Sequence, residues 1–286
     1  MYALLIMADG HIVSGSRDHS IRVWTQGGEL VKELNVHLNR VWCLLSLKTP
    51  RGKDLVLSGS WDKTIKVIDA ASWTVLRTLE GHEDWVTCLQ QVGPRYLVSA
   101  SADATLRVWD VERDFQEERV LRGHQGHVYA LCGLRNGSHI LSGGHDSVLR
   151  VWETRHWREH KTLTGHQGTV RALIEWDDGL VLSGASDGKI IVWNWSLGFI
   201  KVNAVQAHQD WVEALVVMDS RRFASGSRDD SVCIWNRSLV CLQKLVGHQH
   251  WVYALACNGS TLVSSSCDLT MRVWKESPPP FPEGGL

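Results

Sequence analysis

Serine, histidine and aspartate recur together along this chain, and these three residue types supply the nucleophile, the base and the orienting acid of many hydrolases. A segment that begins with Ser and has Asp four residues later occurs seven times, with its Asp at positions 18, 62, 103, 146, 187, 229 and 268. A His precedes six of these Asp residues by 20 to 25 positions. An enzyme needs one such set, so its recurrence in repeat after repeat favours hydrogen-bonded structural sets over catalytic sites.

The elements that must position these side chains are short β-strands in a regular repeat. Successive repeat Asp residues are 44, 41, 43, 41, 42 and 39 positions apart, and a period of this length is typical of repeat folds. Within the second repeat, alternating apolar residues predict strands over 41–47, 55–60, 64–68 and 74–79. Four strands per repeat predict an all-β propeller with one blade per repeat. We assign residues 1–275 to the propeller and residues 276–286 to a Pro-rich C-terminal tail.

The repeat resembles that of the WD-repeat family, on segments such as SGSRDHSIRVW from Ser14 and SGSRDDSVCIW from Ser225. The resemblance spans nearly the whole chain and implies a closed seven-bladed β-propeller that binds other proteins. It also implies a buried set in each blade, in which the Asp meets the His, a strand Ser and a Trp indole. In the third blade this set is His82, Asp103, Trp109 and either Ser99 or Ser101. The implied sets of the later blades are His124, Asp146 and Trp152; His166, Asp187 and Trp193; His208, Asp229 and Trp235; and His248, Asp268 and Trp274.

Two departures from the family pattern bear on the buried sets and on how the propeller closes. Ile68 stands where the second blade would carry its strand Trp, so that set lacks an indole donor. The resemblance implies that an N-terminal segment supplies the outer strand of the last blade, whereas the sequence after Trp274 leads into a proline run that cannot fill a strand ladder. We therefore expect the last blade to lack its outer strand, and the chain to be a fragment, a start-site variant or part of a longer protein.

The resemblance places partner binding on the narrower top face of the propeller, through three positions per blade. Two positions flank the Val that begins the innermost strand, and the third precedes the repeat Asp. Together they hold five Trp, three Tyr, four Arg and two His, with Glu213 as the one acid. Trp, Tyr and Arg contribute most of the binding energy in protein interfaces. The predicted partner-binding residues are Arg17, Arg40, Trp42, Trp61, Trp85, His127, Tyr129, His145, Arg171, Trp211, Arg228, Trp251 and Tyr253.

These features favour a non-catalytic scaffold that binds a partner protein or peptide on an aromatic and Arg-rich top face. Four Arg against one acid suit an acidic or phosphorylated segment. The pattern is similar to that of the F-box/WD substrate receptors of ubiquitin ligases, so a receptor for an acidic or phosphorylated degron is the alternative. An architectural subunit that uses its outer blade edges is a third hypothesis.

Composition argues against several other classes of protein. The formal net charge of −1 speaks against nucleic-acid binding through a broad basic surface, and no apolar run reaches the length of a membrane span. The seven Cys show no CxxC spacing, which favours a reducing compartment, the cytoplasm or the nucleus. We expect no catalytic residues, no metal and no cofactor.

Overall fold

The computed structural model describes residues 2–177, 179–259 and 261–275. These residues form 27 β-strands and no helix, arranged in seven antiparallel sheets. Each sheet takes its strands in chain order, so within a blade every strand pairs with the next one along the sequence. One sheet per repeat gives the seven blades of a β-propeller, which confirms the all-β propeller predicted from the repeat period.

Blades 1 to 4 contain four strands each. Blade 1 consists of β1 (Ala3–Ile6), β2 (Ile12–Gly15), β3 (Ile21–Trp24) and β4 (Leu30–Leu34). Blade 2 consists of β5 (Val41–Lys48), β6 (Asp54–Ser60), β7 (Ile65–Asp69) and β8 (Val75–Leu79). Blade 3 consists of β9 (Val86–Val92), β10 (Tyr96–Ser101), β11 (Thr105–Asp110) and β12 (Gln116–Arg122). Blade 4 consists of β13 (Val128–Gly133), β14 (His139–Gly144), β15 (Leu149–Glu153) and β16 (Arg158–Leu163).

Blades 5 to 7 continue the same pattern. Blade 5 consists of β17 (Val170–Asp177), β18 (Leu180–Ala185), β19 (Lys189–Asn194) and β20 (Ile200–Gln206). Blade 6 consists of β21 (Val212–Val217), β22 (Arg222–Ser227), β23 (Ser231–Asn236) and β24 (Cys241–Val246). In the described residues blade 7 consists of β25 (Val252–Cys257), β26 (Thr261–Ser266) and β27 (Met271–Lys275). The predicted tail 276–286 lies outside the described residues. The prediction that blade 7 lacks its outer strand is therefore not tested.

The apolar core lies at the seams, as we call the interfaces between consecutive blades. The Val that begins each innermost strand from β5 onward is fully buried at a seam. It packs against the Gly or small residue of the preceding blade's second strand, and a Cβ atom on Gly59 would lie 2.6 Å from Cγ1 of Val86. The second-strand position of the repeat motif thus requires a small residue, because the Val of the next blade lies close to the backbone there.

Strand order also defines the two faces of the propeller. We call the face that carries the turns between second and third strands, and the loops that lead to the next blade, the top face. The hairpins between first and second strands, and the turns before the outer strands, form the bottom face. Because successive strands are antiparallel, equivalent repeat positions return to the same face in every blade.

Candidate functional site

The repeated His, Ser and Asp side chains form a hydrogen-bonded set inside each of blades 2 to 7. In blade 3, His82 Nδ1 lies 2.8 Å from an Asp103 carboxylate oxygen, and His82 Nε2 lies 2.8 Å from Ser99 Oγ. The indole N–H of Trp109 donates to the same Ser99 oxygen over 2.9 Å. Ser99 rather than Ser101 therefore belongs to this set, while Ser101 accepts the backbone N–H of Asp103.

The corresponding residues of the other blades make the same contacts. His to Asp distances are 2.8 to 3.1 Å, and His to Ser distances are 2.7 to 2.8 Å. An indole completes the set in blades 4 to 7. In blade 2 the set ends at Ser58, because Ile68 offers no donor.

The charge state of the Asp residues follows from their surroundings. Burial by itself would raise the pKa of Asp103, but hydrogen bonds from His82 and Thr105 outweigh burial and hold that pKa well below its usual range. The same balance, with His166 as the main donor, lowers the pKa of Asp187 to about 2. An ionised Asp accepts the proton on Nδ1, so Nε2 of the His accepts from the Ser hydroxyl. Each polar atom of the set therefore has a partner.

These sets have the geometry of a hydrolase triad but not its accessibility. A nucleophilic Ser must reach a substrate carbonyl, and its base must be free to take the proton. The side chain of Ser99 is completely buried and already accepts the indole proton of Trp109. The arrangement satisfies polar groups inside the blade, and this stabilises the fold.

Backbone hydrogen bonds bring the predicted top-face positions together in blades 2 to 7. The residue before the repeat Asp donates its N–H to the carbonyl of the residue before the innermost-strand Val. Trp61 N–H bonds to Arg40, His145 N–H to His127, and Arg228 N–H to Trp211, over 2.8 to 3.0 Å. Side chains that are 17 to 21 residues apart in sequence thus stand next to each other on one rim.

Aromatic rings form a continuous group over blades 1 to 3. Tyr2 stacks on Trp42 at 4.6 Å, and Trp42 lies 5.6 Å from Trp61. Trp61 and Trp85 are stacked face to face at 3.8 Å with an angle of 3° between their planes. All four rings are partly exposed. They form a flat apolar surface of the kind that anchors binding partners.

Blade 4 places two imidazoles and a phenol beside this aromatic group. His127 lies 5.9 Å from Trp85, edge to face, and its Nδ1 is 3.0 Å from the Tyr129 hydroxyl. His145 is exposed and lies 6.4 Å from His127. These groups give the surface hydrogen-bonding partners next to its apolar part.

Blades 4 to 7 carry a ladder in which aromatic rings and guanidinium groups alternate. Arg228 lies 3.6 Å from the ring centre of Trp211 and 4.3 Å from that of Trp251. Arg171 lies 4.1 Å from the ring centre of Tyr129. Such contacts hold the cations over the ring faces. The faces of Trp211 and Trp251 are therefore already occupied by the protein's own Arg228.

Glu213 neutralises both guanidinium groups of this ladder. Its carboxylate lies 2.8 Å from Arg171 and 2.5 Å from Arg228, and its side chain is only 2% exposed. Together with Tyr2, Trp42, Tyr129 and Tyr253, this cluster narrows the channel mouth to a cavity of about 50 Å³. A cavity of this volume is too small to hold a ligand of peptide size.

The other two predicted arginines have no such partner. In the described part of the chain neither Arg17 nor Arg40 forms an ion pair with a carboxylate. Arg40 lies 4.2 Å over the ring of Trp61, and Arg17 is exposed. The carbonyl of Ser16 accepts the N–H of Val41, which sets Arg17 and Arg40 on neighbouring backbone segments. Two uncompensated cations thus stand at the rim of blades 1 and 2.

Comparison with known proteins gives the same repeat boundaries. The family model "WD domain, G-beta repeat" matches residues 2–25, 28–69, 73–110, 115–153, 157–194, 200–236 and 239–275. A nuclear distribution protein PAC1 of Arthroderma otae is 34% identical over 153 residues, which is 50% of this chain and 33% of that protein. Autophagy-related protein 16 of Arabidopsis thaliana is 28% identical over 147 residues, 50% of this chain and 28% of that protein. Pre-mRNA-splicing factor PRP46 of Candida albicans is 37% identical over 87 residues, 29% of this chain and 22% of that protein.

In each of these three pairs the aligned part covers a third or less of the curated relative. The family model, in contrast, covers nearly all of the chain in seven consecutive matches. Seven model matches correspond to the seven blades described above. The chain belongs to the WD40 family of G-beta repeat proteins.

Proposed function

We propose that this protein is a non-catalytic interaction scaffold whose top face binds a segment of a partner protein. The observation that carries this proposal is the connected group of partly exposed rings from Tyr2 to Trp85, beside two uncompensated arginines. Large flat aromatic surfaces with Arg at their edge are the usual centre of a protein interface. The buried position of each His and Ser set supports the non-catalytic part of the proposal.

The charge distribution supports a partner segment with an acidic or phosphorylated side chain. Arg171 and Arg228 are neutralised by Glu213, so the cations left for a ligand are Arg17 and Arg40. Guanidinium groups bind carboxylates and phosphates through paired hydrogen bonds. We infer that the anionic group of the segment lies over blades 1 and 2, and its apolar side chains over Trp61 and Trp85.

A degron-reading subunit of a ubiquitin ligase uses the same kind of contact and remains the alternative hypothesis. A degron site that uses all four top-face arginines has less support, since two of the four guanidinium groups are already paired with Glu213. The three relatives are named for nuclear distribution, autophagy and pre-mRNA splicing. Their shared repeats therefore support an interaction platform without selecting one cellular process.

An architectural role through the outer strands has one observation in its favour. The outer strands of blades 5 and 6 expose aliphatic side chains, with Val202 46%, Leu242 53% and Val246 73% exposed. A partner on this edge would be lost after Leu242→Lys and kept after Trp85→Ala. The top-face proposal requires the reverse.

The experiment that tests the proposal is affinity capture of partners by the full chain. Trp85→Ala and Arg40→Ala should each remove the same captured partner, with a loss of about 2 kcal/mol, or roughly thirtyfold in affinity, for the Trp. Arg119→Ala is the matched control, because Arg119 is exposed on the outer strand of blade 3. Capture that survives both top-face changes would refute the proposal.

We also propose a cytoplasmic or nuclear location. The seven cysteines are free thiols, which fits a reducing compartment. No helix in the described ranges is long and apolar enough to cross a membrane. Fractionation of cells that express the full-length protein, with a fluorescent fusion as a second readout, tests this assignment.

A further inference from the structure

A groove on the bottom face, at the seam between blades 2 and 3, is separate from the top face. It has a volume of about 820 Å³, which is within the range of about 300 to 1,000 Å³ that holds small ligands. Its apolar floor includes Leu55, Leu76 and Phe115, and its mouth carries Pro50, Arg51 and Arg77. None of these residues takes part in the top-face surface.

Both walls of the groove are fixed by hydrogen bonds. On the blade 2 side, the hairpin between β5 and β6 is closed by Thr49 N–H to Lys53 O and Gly52 N–H to Thr49 O, each 2.9 Å, with Gly52 at φ 80°. On the blade 3 side, Asp110 accepts the N–H groups of Glu112 and Arg113 in the turn before β12. A groove with rigid walls loses little entropy when it binds a ligand.

The neighbouring seams show what is missing from this one. At the seam of blades 3 and 4, Trp157 packs edge to face on Tyr96 at 5.2 Å. At the seam of blades 4 and 5, Phe199 packs on His139 at 5.3 Å. The equivalent pair at the seam of blades 2 and 3 is Phe115 with the aliphatic Leu55. The space that a second ring fills elsewhere is therefore open here to a bulky apolar side chain.

The charges at the mouth favour an acidic neighbour for that side chain. Lys53 is paired with Asp69 at 2.6 Å, and Arg77 with Asp114 at 2.6 Å. Glu112 lies 4.0 Å from Arg95, and Asp110 pairs with Arg95 at 2.7 Å and with Arg113 at 3.6 Å. Arg51 is exposed and forms no ion pair with any carboxylate in the described residues. One positive charge at the mouth is thus left without compensation, and a carboxylate is its natural partner.

We propose that this groove binds a partner segment in which a bulky apolar side chain stands next to an Asp or Glu. The apolar side chain packs on Leu55, Leu76 and Phe115, and the carboxylate pairs with Arg51. Because the groove is on the face opposite to the aromatic surface, it provides a second docking point that leaves the top face free. The propeller then links two partners, which a scaffold requires.

The probe for this proposal is a phage-displayed library of random dodecapeptides, selected on the immobilised full chain. The expected result is enrichment of peptides with an aromatic or large aliphatic residue beside Asp or Glu. Arg51→Glu should weaken such a peptide about tenfold or more, the effect of one charge-assisted hydrogen bond, and Leu76→Ala should weaken it as well. Arg155→Glu is the control, since Arg155 is exposed on the same bottom face but away from the groove, in the turn before β16 of blade 4, and it should leave affinity unchanged.

The two proposals fail in different ways in this experiment. Peptides that respond to Trp85→Ala and not to Arg51→Glu or Leu76→Ala would overturn the groove and support the top-face proposal. Peptides that respond to Leu76→Ala alone would overturn the acidic part of the inferred motif. A selection without any enriched peptide that Arg51→Glu weakens would also overturn the groove. Unchanged melting temperatures of the variants establish that the changes are local.

Discussion

The change Asp103→Ala tests whether the repeated polar sets stabilise the fold. The Asp103 carboxylate accepts four hydrogen bonds: from His82 Nδ1 at 2.8 Å, from Glu83 N–H at 3.0 Å, and from the Thr105 N–H and hydroxyl at 2.8 and 2.6 Å. His82 and Thr105 are buried, so their donors lose their partners without gaining water. Hydrogen bonds to charged groups contribute about 1.5 to 3 kcal/mol each. Allowing for water at Glu83, we expect a loss of about 4 kcal/mol.

Asp18→Ala is a matched change in the same turn of blade 1. Asp18 accepts the N–H and the hydroxyl of Ser20, as Asp103 does from Thr105, and it pairs with Arg22 at 2.9 Å, but no described His contacts it. Its side chain is also 48% exposed. We expect a loss of about 1 kcal/mol, typical of a partly solvated hydrogen bond. The difference between the two variants reports the His contact and the adjoining amide of Asp103, less the partly exposed ion pair of Asp18 with Arg22.

Equilibrium unfolding in urea, followed by Trp fluorescence and by circular dichroism, measures both changes. The slope of the unfolding free energy with urea should be the same in all three proteins, so that the midpoints can be compared. If the two variants lose the same free energy, the His and Asp contacts do not stabilise the fold in the way derived above. If the two probes give different midpoints, the blades unfold separately, and the comparison must be made on the transition of blade 3.

Three further predictions concern stability. The pKa values of Asp103 and Asp187 are lowered in the folded state. Their contribution to the free energy of unfolding is therefore complete above the unfolded pKa of about 4 and is lost as the pH falls below it. Melting temperatures measured from pH 7 to pH 2 should drop below about pH 4, and they should drop less steeply in Asp103→Asn. Trp157→Ala should lower the free energy of unfolding by about 3 to 5 kcal/mol, because the ring is buried at a seam. Trp85→Ala should lower it less, because Trp85 is partly exposed. Equal losses would show that Trp85 is a core residue. Glu213→Gln should cost about 3 kcal/mol, since two largely buried guanidinium groups lose their counter-charge. An unchanged urea midpoint would contradict the ion pairs.

The sequence predicts the strands of this fold closely, because the period-2 alternation of apolar residues and the turn residues that recur in each repeat agree on where the strands begin and end. In blade 2 the predicted strand 41–47 is observed as Val41–Lys48, and the boundaries of the other three strands also agree to within one residue. The choice between Ser99 and Ser101 was open in the sequence, since residues two apart point to the same side of a strand. The structure resolves it through the turn: Ser101 caps Asp103, which leaves Ser99 to His82.

For the top face, repeat position predicts where a side chain lies but not which neighbour it pairs with. The positions of Arg171, Glu213 and Arg228 all follow from the repeat, yet their mutual ion pairs depend on side-chain direction across two blades. The groove at blades 2 and 3 left no signal in the repeat pattern either. It arises because Leu55 occupies a place that Tyr96 and His139 hold in the next two blades.

The pairing of Glu213 changes how the charge of the top face acts on a ligand. Counted as formal charges, four arginines against one acid describe a uniformly cationic surface. Because one buried carboxylate is shared by Arg171 and Arg228, and because Trp211 and Trp251 cover the flat sides of Arg228, that half of the face offers little free charge. Arg17 and Arg40 remain open on the other half, next to the stacked Trp61 and Trp85. The face is therefore polarised, and a bound segment is expected to lie in one direction, with its anionic end toward blades 1 and 2.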